Sequence, residues 1–254
     1  MPAKLRRYLP ELIALPLLPV LIAQGHRTRR ITPRLPEAGG PCAGIAGTGA
    51  GEPLSLLTVG ESPVAGVGVA THEEAITGQL ARVLAVRLQR AVHWRACGSN
   101  GVTVREALQQ VVPSIPAQAV DIALVAFGVN DTTAFHPVRR WQSDLRALLQ
   151  AVDARCAPRL LLLSGVPPVA HFPALPQPLR WVMGLKSAAL DAAAREMAPH
   201  LPRALYVPLE LAVRDTSMLA VDGYHPSAKG CAAWAKLLAD ACLSHLGGQA
   251  THAG

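Results

Sequence analysis

The sequence predicts an α/β fold, a parallel β-sheet with helices packed on both faces. Short apolar runs alternate with longer segments of helical pattern across residues 54–246. Half of the 254 residues are apolar, enough for one sizeable core. Aromatic residues are only 4% of the chain, so that core rests on Leu, Val and Ala, as suits parallel strands under Ala-rich helices.

The elements follow in order. Leu54–Val59, an apolar run between Pro53 and Gly60, reads as the first strand, and Glu73–Arg90 as a helix. Val92–Cys97 is the second strand and Val104–Val111 its helix. Ile122–Phe127 and Trp141–Val152 repeat the pairing, and Leu160–Ser164 is the fourth strand. A Pro-rich stretch precedes a helix over Leu179–Met197. Ala204–Val207 is a last short strand, and Lys229–Leu246 a closing helix. No internal repeat is found. In such a sheet the loops after the strands share one edge, where ligands bind.

The first 53 residues differ in character. Before residue 35, Lys4, Arg6, Arg7, Arg27, Arg29, Arg30 and Arg34 face a single acid, Glu11, so residues 1–34 hold +6 of the formal +7 charge. The remainder is near neutral and shows no basic face of the kind nucleic-acid binding needs. Leu12–Ala23 is an apolar run too short to span a bilayer, and Pro16 and Pro19 should break a straight helix. A signal peptide fits less well, because no A-x-A site follows and Arg27, Arg29 and Arg30 come at once. A segment lying on a membrane surface, or one that simply packs on the domain, are the other readings. Residues 33–53, rich in Pro and Gly, read as a linker. Gly47-Thr48-Gly49-Ala50-Gly51 within it does not follow a strand, so it lacks the context of a phosphate loop. The expected layout is a basic, apolar arm with its linker (1–53), a catalytic-type α/β domain (54–246) and a flexible tail (247–254). Five widely spaced cysteines, with no C-x-x-C, fit reduced thiols in a cytosolic compartment. The histidines His72, His93, His136 and His171 do not cluster, so they read as surface or packing residues and no metal site is expected.

Four short segments carry chemistry. Ser62, in Gly60-Glu61-Ser62, follows the first strand, and Gly60 would allow the tight turn that presents it. Its hydroxyl needs a base to become a nucleophile. Alone the segment is weak, since Gly-x-Ser recurs by chance about once in a chain this long. Gly101, in Ser99-Asn100-Gly101, follows the second strand and could offer a backbone N–H to an oxyanion, though taken alone the segment reads better as an ordinary turn over Gly98-Ser99-Asn100-Gly101. Asn130, in Gly128-Val129-Asn130-Asp131, follows the third strand, and its amide can donate to the same oxyanion. An Asn-Asp turn closing a strand is the plain alternative. In Asp222-Gly223-Tyr224-His225, Asp222 can accept the Nδ1 proton of His225 and leave Nε2 to face Ser62.

In this order the four segments resemble the SGNH hydrolases, the GDSL esterase/lipase family, over about residues 54–246. The resemblance implies a flavodoxin-like α/β/α sandwich with about five parallel strands. It also implies a Ser62, Asp222, His225 triad, an oxyanion hole from Ser62 N–H, Gly101 N–H and the Asn130 side chain, and no cofactor. The expected activity is hydrolysis of small-molecule esters with short to medium acyl chains. A thioesterase, a lysophospholipase and a catalytically silent module of the same fold are the alternatives. The family has Gly-Asp-Ser where this chain has Gly60-Glu61-Ser62, so Glu61 would brace the nucleophile loop differently. A cytosolic protein is expected, with peripheral membrane contact through the basic arm as a further possibility.

Overall fold

The computed structural model describes residues 7–49, 51–209 and 215–252, with the backbone alone given for 248–252. Lys4 and Arg6 of the basic arm and the last two residues of the tail lie outside this set. Six strands form one sheet: β1 Ala43–Ala46, β2 Leu54–Gly60, β3 Val92–Gly98, β4 Ile122–Ala126, β5 Leu160–Ser164 and β6 Ala204–Val207. Their spatial order is β1-β3-β2-β4-β5-β6. The pairs from β3 through β6 are all parallel, and only β1 is antiparallel. The five parallel strands therefore run 2-1-3-4-5, the flavodoxin-like order, and the sandwich implied by the sequence is formed. Its switch point lies between β2 and β4, the strands that lead to Ser62 and Asn130.

Seven helices complete the chain among the described residues: α1 Leu9–Ile31, α2 Ile76–Leu88, α3 Val104–Gln110, α4 Val129–Thr133, α5 Val138–Cys156, α6 Leu179–Met197 and α7 Ala228–His252. The central strands are buried on both sides, which is why they read as unbroken apolar runs. Leu57, Val59 and Val125 pack on one face with Trp141 and Leu145 of α5 and Leu190 of α6. Leu56, Leu124 and Leu162 pack on the other with Leu80 and Leu84 of α2 and Leu238 of α7.

Three expectations need correction. Residues 43–46, inside the segment read as linker, form β1 and pair with β3. Gly44 is needed there, because a Cβ would lie 2.8 Å from the Trp94 ring. The tail is not wholly irregular, since α7 continues to His252. Pro16 and Pro19 do not end the N-terminal helix, because Leu9–Ile31 is continuous through both.

Tertiary contacts hold that helix. Ala14 and Leu21 are buried against Leu179 and Val182 of α6. Gln24 donates to the Gln177 carbonyl (2.7 Å) and accepts from the Leu179 N–H (3.0 Å). Lys186, fully buried, pairs with Glu11 and stands 4.9 Å from the centre of the Phe135 ring. A buried ammonium stripped of its partner is costly. Glu11→Ala is therefore expected to lower unfolding stability by about 2–3 kcal/mol, below the fully buried case because Glu11 is one-third exposed. Adding Lys186→Met should recover most of the loss, as urea titration of both variants would read.

Candidate active site

Ser62 sits two residues past β2 and is 6% exposed. The stretch after it folds back at once: Val64 and Ala65 N–H donate to the Glu61 carbonyl, and Val67 N–H to that of Ser62. Gly60 was expected to permit a turn, but its φ is not in the left-handed region. Its smallness serves close approach instead, since a Cβ would lie 2.4 Å from Val64 Cγ2 and 2.7 Å from the Ala126 carbonyl. The Ser62 loop thus lies against the end of β4, the strand that leads to Asn130.

Glu61 completes that junction. Its carboxylate is buried; Oε1 accepts the Val129 N–H (2.9 Å) and Oε2 the Asn130 N–H (3.0 Å). Burial pushes its pKa up to about 7, against the lowering effect of those two N–H groups. The longer side chain ties the Ser62 loop to the first turn of α4. Gly128, just before that turn, has φ 135°, and a Cβ there would strike Val166 at 2.7 Å.

Asn130 and Asp131 extend the bracing to the third loop. Asn130 Nδ2 donates to the Val102 carbonyl (3.0 Å), which fixes the amide and leaves its second N–H for another acceptor. Asp131, 1% exposed, accepts the Val104 N–H (3.0 Å) through Oδ2 and bonds His136 Nδ1 (2.9 Å) through Oδ1. Burial raises the Asp131 pKa, partly offset by His136 and the Val104 N–H. The bonds to Val102 and Val104 hold the segment that follows Gly101. Gly101 itself has φ 81°, with nothing within 4 Å of a Cβ, so here the backbone conformation demands glycine. Among the described residues, no acceptor takes the backbone N–H of Ser62 or of Gly101.

His225 comes from the loop before α7. Its Nδ1 lies 2.6 Å from Asp222 Oδ2, and Asp222 Oδ1 accepts the N–H groups of Tyr224 and His225 at 3.0 Å each. Burial alone would raise the Asp222 pKa, but the three hydrogen bonds together hold it below the ordinary carboxylate value. With Nδ1 committed, Nε2 is the nitrogen left for a second partner. This loop reaches the Ser62 segment: a Cβ on Gly68 would sit 2.5 Å from the Pro226 carbonyl and 3.3 Å from His225 Cβ.

Ser62 and His225 line one cavity of about 60 Å³, together with Val129, Phe172, Tyr224 and Trp234. A wider cleft of about 490 Å³ is lined by His225 with Gly101, Asp222, Arg29 and Arg34. His225 thus shares one cavity with Ser62 and another with Gly101 and Asp222, while Asn130 lines neither and is tied to them through Glu61 and Val102.

The sequence model of the GDSL-like Lipase/Acylhydrolase family matches residues 58–233, the whole span from β2 to the start of α7. The chain belongs to this family. No curated protein matches it in sequence. Among solved structures, the GDSL-like fold seen here is similar to the lipase Lip_vut3 from a goat rumen metagenome (17% identity, 74% of this chain and 97% of the other, TM-score 0.55). It is also similar to the extracellular lipase of Streptomyces rimosus (15%, 74% and 99%, 0.52). Phospholipase A1 of Streptomyces albidoflavus is a third (15%, 75% and 98%, 0.53). At these identities the likeness is one of fold.

Two parts of this GDSL-like site were missed in the sequence. His136, read as a surface or packing residue, is the partner of Asp131. Arg29 and Arg34 of the N-terminal segment line the cleft beside His225. Sequence offered no signal for either, because each depends on how distant segments pack.

Proposed function

We propose that this GDSL-family protein is a serine esterase acting on carboxylic esters of short to medium acyl chain. The observation that carries the reading is that His225, bonded to Asp222 through Nδ1, lines the same cavity as Ser62. His225 takes the Ser62 proton at Nε2, and Ser62 Oγ attacks the ester carbonyl. Asp222 fixes the tautomer and stabilises the imidazolium. The oxyanion is met by Ser62 N–H, Gly101 N–H and the Asn130 amide, held in place by the Glu61 and Asp131 bonds. The alcohol leaves with the proton from His225, and water then attacks the acyl-enzyme with His225 again as base. The narrow apolar cavity accepts the acyl chain, and its size supports the shorter ones. No step calls for a cofactor.

A fluorophosphonate probe is expected to label the protein at Ser62 and to leave Ser62→Ala unlabelled. Acetyl, butyryl and hexanoyl nitrophenyl esters should then turn over faster than the lauroyl ester. Absence of labelling would favour a catalytically silent module, and preference for the lauroyl ester would remove the acyl-length assignment. A lysophospholipid is the second reading, supported by the two arginines that line the cleft with His225. Arg29→Gln/Arg34→Gln would raise KM for it without changing KM for a neutral ester.

A further inference from the structure

Helix α1 carries a face that nothing among the described residues covers. Its inner side is buried through Pro10, Ala14, Leu21 and Thr28. Opposite it, Tyr8, Leu12, Leu15, Pro19 and Ile22 recur at three- and four-residue steps and are all exposed, Leu12 by 59% and Leu15 by 72%. No charged residue interrupts this stripe over its first four turns. In the last turn its character changes to His26, Arg27, Arg29 and Arg30, all exposed, and Arg34 follows. Among the described residues none of these arginines enters an ion pair, and the first acid after them is Glu37.

An apolar stripe that ends in unpaired cations matches the interface of an anionic bilayer: acyl chains below, phosphate groups at the level of the arginines. By length and composition alone the helix could also cross a membrane. Crossing would pull Glu11 from buried Lys186 and Gln24 from α6, whereas lying in the plane keeps both contacts. The same helix reaches the catalytic region, since Gly25, Thr28 and Arg29 wall the cleft that holds Gly101 and His225.

We infer that α1 is an in-plane docking helix that seats the protein on an anionic membrane surface with the cleft beside His225 at the lipid boundary. The docking does not rest on the esterase reading, and the test separates the two. The full chain is sedimented with vesicles of phosphatidylcholine alone or mixed with phosphatidylglycerol. Wild type and Ser62→Ala are expected to pellet equally with the mixed vesicles, to pellet poorly with neutral ones, and to be released by high salt. Arg27→Gln/Arg30→Gln should bind the mixed vesicles roughly thirtyfold more weakly. Leu12→Gln/Leu15→Gln should lose most of the binding while hydrolysis of a soluble nitrophenyl ester and thermal unfolding stay unchanged. The inference is overturned if wild type ignores the mixed vesicles, if either double variant binds like wild type, or if bound protein resists alkaline carbonate extraction as a spanning segment would. It is equally overturned if Leu12→Gln/Leu15→Gln dissolves a dimer and the vesicles bind nothing, which would assign the stripe to a second copy of the chain.

Discussion

Ser62→Ala is expected to lower kcat for a nitrophenyl ester by about 10⁴- to 10⁶-fold, with the unfolding transition unchanged. His225→Ala should cost about as much, and the double variant little more than either single one. Such non-additivity is what distinguishes one proton-transfer unit from two separate contributions to binding. Rates measured under single-turnover conditions would read it. Additive losses would mean that the hydroxyl and the imidazole act independently and that their shared cavity has another purpose. Retained turnover in Ser62→Ala would remove the nucleophile assignment outright.

The second large effect is expected at Glu61. Glu61→Ala leaves two N–H groups, the buried one of Val129 and the half-buried one of Asn130, without their acceptor. Each such loss costs about 1–3 kcal/mol, so stability should fall by about 2–6 kcal/mol. Because Asn130 is an oxyanion donor in the proposed mechanism, kcat should also drop by about 10²–10³-fold with little change in KM. The pH dependence is specific as well. Glu61 has a folded pKa of about 7 against an ordinary 4.5, so the folded state holds the proton more tightly. Its contribution is therefore fully present below pH 4.5 and is lost as pH rises through 7. Between pH 4 and pH 8 the wild type should lose about 3 kcal/mol that Glu61→Gln does not lose. Urea unfolding of the two proteins across that range is the measurement. Parallel curves would show that Glu61 is ionised throughout and that its two N–H bonds outweigh its burial.

The parallel sheet was legible because each strand is a short apolar run and each crossover a longer helical pattern. Leu160–Ser164, Leu179–Met197 and Ala204–Val207 fall where the sequence placed them. What escaped depended on tertiary context. Ala43–Ala46 is too short and too rich in glycine to read as a strand, and only pairing with Val92–Arg95 makes it one. Pro16 and Pro19 looked like breaks because local propensity was weighed without the contacts to α6 that hold the turns around them. The serine, the histidine and its acid stood out because their residue types carry the chemistry. The bracing around them did not: Asp131 with His136, and Glu61 with the Asn130 loop, join residues brought together by three separate crossovers. An arginine-rich arm gave its charge away at once, yet nothing in its composition said that Arg29 and Arg34 would wall the cleft.

The antiparallel strand β1 has a practical consequence for shortening the chain. It is four residues long and lies along the outer side of β3, so it occupies the backbone groups of Val92–Arg95 that would otherwise face solvent. A version begun at Leu54, the natural boundary by sequence, would bare that row beside His93 and Arg95. It would then offer a template for strand addition between molecules. The Pro- and Gly-rich segment is thus a safeguard of solubility, and trimming it would invite aggregation even with Ser62, Asp222 and His225 in place.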